Sequence, residues 1–443
     1  MPEDAYLIEG GKTLKGKVRL SGAKNVALKT IIAALLFKGP VYLKNIPRIR
    51  DVDELLFLIA NIGGKAKFVD KNTLLIDGQN IYSSRLNFLF AAKVRVSFMF
   101  FAPLLYKFKK AFIPNPGGCR LGARSIDRVI EGMRVLGITV EYDSTTGYYQ
   151  ATLVHPVKGT IEFSKPTHTG TELIIMISVL GNNKVTIKNA ALEPEIDDLI
   201  NFFNQAGANI SRSGNKVEII GVKTLRQKSP YTISSDRNEA VTFISLALST
   251  QGEIIVGDIP EVSIKAFIEK IKQAKGTVEQ ILNGQWLFRA PSTGLQSVSI
   301  ETAPHPGFMT DWQPLWAVLM TQARGQAVIH ERLFENRFSY VDELNKLGAD
   351  ISYLDLDIAD PKDYYLFNYD SSKKYRQAIA ITGPQRLHSG VLNIADLRAG
   401  ATLAIAALMA PGESIVSGVS ILERGYENFV EKVRRLGGNI KKI

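Results

Sequence analysis

The chain has 443 residues, 54 basic and 43 acidic, for a formal charge of +11. Apolar residues make up 45% and charged residues 22%, a globular balance that excludes wholesale disorder and leaves room for two or three domains. A single cysteine and five histidines exclude an internal disulfide, a cysteine-rich zinc or iron–sulfur site and a CxxC redox centre.

The opening MPEDAYLIEGG lacks the basic flank and apolar core of a signal peptide. The greasiest stretches, Val96–Tyr106 and Ala401–Ala410, fall short of the ~18–20 residues that span a bilayer. A cytoplasmic setting is therefore expected. The basic residues are scattered apart from Tyr106–Lys110 and Lys432–Lys442, and no helix-turn-helix, zinc finger or RNP-like run accompanies them. Small anionic substrates fit the charge better than nucleic acid does.

Taken in chain order, one pattern recurs six times: an amphipathic helix, a glycine turn, then a strand. The copies are LLFLIANIGGKAKFV, VIEGMRVLGITVEY, LINFFNQAGANISR, FIEKIKQAKGTVEQI, YVDELNKLGADISYL and FVEKVRRLGGNIKKI. Gly63, Gly137, Gly207, Gly276, Gly348 and Gly437 end the helices, where the left-handed backbone favours glycine. Ahead of most copies lies another helix followed by a strand, as in NVALKTIIAALLFKG with PVYLKNIP. These first helices are apolar nearly all round and belong inside a core. Six units divide into three and three, with the middle boundary near Lys228–Ser235. The fold class read from this is α/β, two-lobed, with buried helices enclosed by short strands. The lobes are expected at 21–234 and at 1–20 plus 235–443, the first strand around Leu7–Glu9 returning to the second half.

Polar residues gather where the buried helices begin. They include Ser21–Asn25 (SGAKN), Lys93 and Arg95, Thr167–Glu172, Ser234–Glu239, His305–Asp311, and Asp396 with Arg398. Charges at the mouths of apolar helices are costly without partners or ligands. Helix N-termini together with Lys24, Arg95, Arg124 and Arg398 suit phosphate or carboxylate. Arg337, in the loop FENR, is expected to reach the same place. Cys119 sits in a Pro/Gly loop just ahead of Arg120 and Arg124, whose guanidiniums favour the reactive thiolate. Glu193, Glu195, Asp197 and Asp198 read as helix-start carboxylates, and Trp312 and Trp316, four apart, as core. No Rossmann or Walker glycine pattern points to a nucleotide cofactor.

Several stretches together carry a resemblance: LSGAKNVALK (20–29), KVRVS (93–97), PGGCRLGAR (116–124), NAALEPEIDDL (189–199), APHPGFMTDWQ (303–313), FENRF (334–338) and DLRAG (396–400). Over essentially its whole length the chain resembles the UDP-N-acetylglucosamine 1-carboxyvinyltransferase family of enolpyruvyl transferases. The resemblance implies an inside-out α/β barrel in two lobes, six βαβαββ units with three per lobe, and an active site in the interlobe cleft. It implies transfer of enolpyruvyl from phosphoenolpyruvate to the 3-hydroxyl of UDP-N-acetylglucosamine during peptidoglycan synthesis, without metal or organic cofactor. By the same resemblance Lys24 contacts phosphoenolpyruvate and Asn25 the sugar nucleotide. Arg95, Arg124 and Arg398 hold anions, Asp311 faces the attacking hydroxyl, and Arg337 belongs to the site. Cys119 is the loop cysteine that protonates or adds to phosphoenolpyruvate, controls product release and is alkylated by fosfomycin. Ser125, Ile126, Asp127 and Arg128 fall in the nucleotide-contacting stretch, where Ser125 replaces a frequent Pro and Arg128 a usual Leu. Leu173 and Ala240-Val241 also depart from the common pattern. The implied partners are the two small substrates. The oligomeric state is open, with a monomer as the preferred reading. A shikimate-type enzyme, a paralogue with another sugar nucleotide, and a silent binding or regulatory protein on this scaffold remain as alternatives.

Overall fold

The computed structural model describes residues 4–117, 126–282 and 284–443. These form two compact units. The first holds 22–117 and 126–234, and the second holds 4–21, 235–282 and 284–443.

Among the described residues the six recurrences become six small sheets, three in each unit, and they remain open ladders. Each is built to one plan. In the first unit, strand Lys184–Lys188 pairs in parallel with Gly159–Glu162 and antiparallel with Lys216–Ile220, which forms a hairpin with Asn209–Ser213. A parallel neighbour cannot be reached by a tight turn and needs a crossover. Here the buried helix His168–Ser178 supplies it. In the second unit, Gly325–His330 repeats the arrangement with Ile300–Glu301, Ala378–Gly383 and Asp350–Leu354. Among the described residues the sheet of Lys110–Pro114, Tyr148–Thr152 and Thr139–Asp143 has three strands, and its parallel neighbour is reduced to one bridge, Arg85 to Phe112.

Two edge strands are exchanged relative to chain order. Lys15–Val18, ahead of the first buried helix, pairs in the second unit with Glu253–Val256. Tyr231–Thr232, ahead of the fourth, pairs in the first unit with Val41–Lys44. The strand Ala5–Gly10 lies between Gly412–Ser417 and Asn439–Lys442, filling the last place of the sixth sheet.

The first helix of each repeat is the core. Every residue of Arg237–Ser249 is buried, as are all but Met409 of Leu397–Met409. With Gln313–Met320 these two helices pack against one another. Trp312 and Trp316 are buried and meet Phe267 and Phe308 edge to face, as core residues should. Glu195 and Asp197 lie in the first turn of Pro194–Gln205, where the helix dipole favours them. Among the described residues no helix is long and apolar enough to cross a membrane. No cluster of three or more His, Cys, Asp or Glu side chains there could hold a metal ion.

One expectation about the turns is corrected. Gly63, Gly137, Gly207, Gly348 and Gly437 have φ between 87° and 97°, but in the fourth copy the left-handed residue is Lys275 at φ 67°. Gly276 is one position further on and is needed for space. A Cβ there would lie 2.6 Å from Ile271 Cγ2, just as at Gly64 it would lie 2.6 Å from Ile59 Cγ2. The motif thus contains two small-residue positions with different causes, and reading the glycine letter alone merges them. Lys275→Gly is expected to raise stability by about 1 kcal/mol, because glycine takes the left-handed backbone without strain. Gly276→Ala is expected to lower it by about 1–3 kcal/mol through overpacking. Urea denaturation of both variants gives the comparison, and equal signs would refute this assignment.

Candidate active site

In the first unit Lys24 opens the buried helix Lys24–Ala33 behind Ala23, which is extended and provides no side-chain cap. Its Nζ lies 2.7 Å from Asp51 Oδ2, with both side chains nearly buried. Asp51 is in the first turn of Arg50–Asn61, and Glu54 on the same helix lies 3.1 Å from Lys93 Nζ. One acidic helix start therefore holds two of the basic side chains singled out from sequence. Asn25 is half-buried beside Lys24. Arg95 begins the short 3-10 turn Arg95–Phe100, which packs against the Lys24 helix. Arg95 Nη1 donates to Pro116 O at 3.3 Å, at the edge of the glycine loop.

Ile126 is buried at the start of helix Asp127–Val135, Asp127 is exposed and Arg128 half-buried. Burial pulls the Arg128 pKa below its ordinary value, with Asp127 opposing. Cys119, Arg120, Arg124 and Ser125 lie outside the described residues.

A second charged group in this unit joins two residues of the singled-out stretch Thr167–Glu172 to Lys29, a pairing the sequence did not reveal. Lys29 Nζ and His168 Nε2 each lie 3.2 Å from one oxygen of Glu172, which is fully buried. Burial lowers the His168 pKa, but Glu172 outweighs it and the net value rises above 6.5, against the opposing charge of Lys29. The signal available was the i, i+4 spacing of His168 and Glu172 on an otherwise apolar helix.

The second unit brings together three predicted residues. Asp311 Oδ1 accepts from Arg337 Nη2 at 2.7 Å, and its Oδ2 accepts from Arg398 Nη2 and Nε at 3.4 Å. The two arginine side chains are 2% and 5% exposed and Asp311 is 25% exposed. A carboxylate is thus held between two buried guanidiniums at the one point of the group that reaches solvent. The adjacent helix begins at Gln313 with Trp312 as its N-cap, so Asp311 is not the cap.

Asp396 caps the helix that carries Arg398, accepting from Arg398 N and Ala399 N at 3.0 Å. It also accepts from Ser339 Oγ. Arg398 Nη1 donates to Tyr426 Oη at 2.9 Å, and that hydroxyl meets Thr242 Oγ1 at 2.7 Å. Burial would lower the Arg398 pKa, but Tyr426, Asp311 and Asp236 raise it above the ordinary value. Arg337 shows the same balance, with Asp311, Glu331 and Asp396 outweighing burial. Both cations are locked in their charged form. Arg337 Nε is buried and has no hydrogen-bond partner among the described residues. Tyr426 and Glu331 were missed from sequence because neither stands at a helix start.

The family described as EPSP synthase (3-phosphoshikimate 1-carboxyvinyltransferase) matches residues 8–433. The chain belongs to this enolpyruvyl transferase family. Among curated relatives, UDP-N-acetylglucosamine 1-carboxyvinyltransferase of Coxiella burnetii (strain Dugway 5J108-111) is 36% identical over 443 residues, covering 99% of this chain and 96% of the relative. The enzyme of the same name from Desulfatibacillum aliphaticivorans is 34% identical over 441 residues, with coverage of 99% and 100%. Among solved structures, the enolpyruvyl transferase NikO from Streptomyces tendae has TM-score 0.84 at 22% identity, with 99% of each chain covered. EPSP synthase from Acinetobacter baumannii has TM-score 0.69 at 16% identity, with coverage of 99% and 100%. These two likenesses establish a shared fold.

The raised His168 pKa carries a stability consequence. A protonated histidine paired with Glu172 stabilises the fold fully below its unfolded value of about 6.5, and this stability is lost as pH rises through the raised folded value. Wild type is expected to lose stability as pH increases through that window, whereas His168→Gln is flatter there. Urea midpoints measured across the window test this, and parallel curves would refute it.

Proposed function

We propose that this enzyme adds the 3-hydroxyl of UDP-N-acetylglucosamine to C2 of phosphoenolpyruvate and expels phosphate, a step in making peptidoglycan precursors for the cell wall. In the first stage the hydroxyl oxygen bonds to C2, its proton passes to a base, and C3 receives a proton. In the second, C3 gives up a proton as the C2–O bond to phosphate breaks, which restores the enol ether. No electrons are exchanged with a cofactor.

In this reading Asp311 faces the attacking hydroxyl. The observation that carries it is the Asp311 carboxylate held between Arg337 and Arg398. A permanent pair of cations beside a carboxylate stabilises negative charge developing on substrate oxygens, and needs no rearrangement at the moment of reaction. Lys24, Arg95, Arg124 and Arg398 are assigned to the phosphate and carboxylate of phosphoenolpyruvate. Asn25 and the stretch Ser125, Ile126, Asp127 and Arg128 are assigned to the sugar nucleotide, and Arg337 to the substrate site beside Asp311. Cys119 is assigned the proton for C3 or a transient adduct, with two arginines nearby in sequence favouring its thiolate. The segments 21–234 and 1–20 plus 235–443 are proposed as the two catalytic lobes. Both substrates are charged, water-soluble metabolites, and the proposed setting is the cytoplasm.

Phosphate release from phosphoenolpyruvate is the test, with UDP-N-acetylglucosamine, shikimate 3-phosphate and no acceptor run side by side. Release is expected only with the sugar nucleotide. Release with shikimate 3-phosphate, or with neither acceptor, would overturn the proposed acceptor. Asp311→Asn keeps the shape of the side chain and is expected to reduce the rate roughly 10²–10⁴-fold; a folded variant with near-normal turnover would remove Asp311 from the chemistry. Intact mass after fosfomycin treatment should show one adduct on the single cysteine, formed faster with UDP-N-acetylglucosamine present and absent in Cys119→Asp. Wild type that binds the sugar nucleotide yet gains no mass would remove Cys119 from this role.

A further inference from the structure

We infer that Glu331, a residue outside the group that faces substrate, is a positioning residue that sets Arg337, and through it Asp311, by way of the Thr310 hydroxyl. This rests on the proposed role of Asp311.

Glu331 is fully buried at the end of the strand Gly325–His330, beside the loop that carries Arg337. Its two oxygens have different tasks. Oε1 accepts from Thr302 Oγ1 at 3.0 Å and from the backbone N–H groups of Leu333 at 2.8 Å and Phe334 at 3.3 Å. It thereby closes the turn that leads to Arg337. Oε2 accepts from Thr310 Oγ1 at 2.7 Å. Thr310 Oγ1 in turn accepts from Arg337 Nη1 at 2.6 Å, and Arg337 Nη2 reaches Asp311 at 2.7 Å.

The direction of this chain is fixed by chemistry. A guanidinium can only donate, so Thr310 must accept from Arg337 and spend its single proton on Glu331. That proton placement requires Glu331 Oε2 to be an acceptor. Burial raises the Glu331 pKa on balance, against the opposing pull of Arg337, Thr310, the Leu333 amide and Thr302, so its charge state is read from its donors. The hydrogen-bond pattern is the one a carboxylate makes. An ionised Glu331 supplies Arg337 with a counter-charge on the side away from Asp311. Without it, the buried Arg337 charge falls more heavily on Asp311, and the carboxylate is drawn toward Arg337.

The loop is braced from its other side as well. Gln377 Nε2 donates to Glu331 O at 2.8 Å and Phe334 O at 3.0 Å, and Gln377 Oε1 accepts from Asn336 N at 2.9 Å. Glu331 N donates to Gln377 O at 2.7 Å. A frame fixed at both ends makes the Thr310 link the adjustable element. Misplacement of a reacting group by about 1 Å can cost roughly 10²-fold in rate, so a modest shift of Asp311 is measurable.

A double-mutant cycle with Glu331→Gln and Thr310→Val is the experiment. Gln keeps nearly the same shape but not the charge; with its oxygen on the Leu333 and Phe334 amides, its NH2 faces Thr310 Oγ1 and can no longer accept from it, while Val keeps the threonine outline without the hydroxyl. Each single variant is expected to lower kcat roughly 10²-fold with a smaller change in KM. The double variant should be no slower than the slower single, because both cut the same link. Glu331→Asp, which keeps the charge, should recover part of kcat. Multiplying losses, or losses confined to melting temperature with kcat intact, would overturn the inference.

Crystal structures of the two single variants give a readout independent of the acceptor. Asp311 is expected to shift relative to Arg398. An unchanged Asp311–Arg337–Arg398 arrangement in both would overturn the inference whatever the acceptor proves to be. Failure of wild type to release phosphate with any acceptor would instead refute the proposed function, and these structures would still decide the role of Glu331.

Discussion

A helix without a polar face has to be enclosed, and this protein is built around six such enclosures. Helices such as Arg237–Ser249 and Leu397–Met409 have no exposed side on which to place charge. Their termini are where most of the charged groups singled out from the sequence enter the core, and each described one there has a partner. Ends of helices also leave backbone N–H groups unsatisfied. The ordering of the fold therefore concentrates cations, carboxylates and free donors at the same few points. The anion chemistry proposed for the enzyme uses groups that the packing has already gathered there.

The cost of this arrangement is visible in the partners. Lys24 has Asp51, Lys29 has Glu172, and Arg337 and Arg398 share Asp311. Removing one member of a buried pair commonly costs about 3–5 kcal/mol, since the other charge is left stranded. A mutation in this set consequently disturbs stability and activity together. Assigning a role to any one residue requires separating the two effects. Glu331 illustrates the difficulty: its contacts serve the turn at Leu333 and Phe334 as well as Thr310.

The repeat also explains where the units differ. The plan of a parallel edge, a central strand and an antiparallel pair recurs six times, the last pair joining the two ends of the chain, yet one edge has shrunk to the Arg85–Phe112 bridge. Another repeat has gained a long segment between Asp350–Leu354 and Ala378–Gly383, and its exit at Gln377 is bonded to the loop carrying Arg337. Variation is tolerated at the sheet margins because each ladder closes its own hydrogen bonds. The enclosed helices vary from 8 to 13 residues in length yet stay largely apolar, because their packing is shared.

Much was legible from the letters alone. Periodicity of 3.6 identified the helices, glycine at fixed offsets identified the turns, and six recurrences gave the layered α/β plan, because these signals are local. The residues at the buried helix starts, Lys24, Arg95, Asp311 and Arg398 among them, stood out because a charge next to an apolar run is conspicuous in one dimension. What the sequence could not supply was pairing. Lys15–Val18 joins a sheet more than 230 residues away, Lys275 rather than its glycine neighbour takes the left-handed turn, and Glu331 reaches Arg337 through Thr310. Each depends on where distant backbone lies in space, and the distance along the chain carries no record of that. The sequence determined which helices must be buried and where charge would gather; only the tertiary structure decided which charges meet.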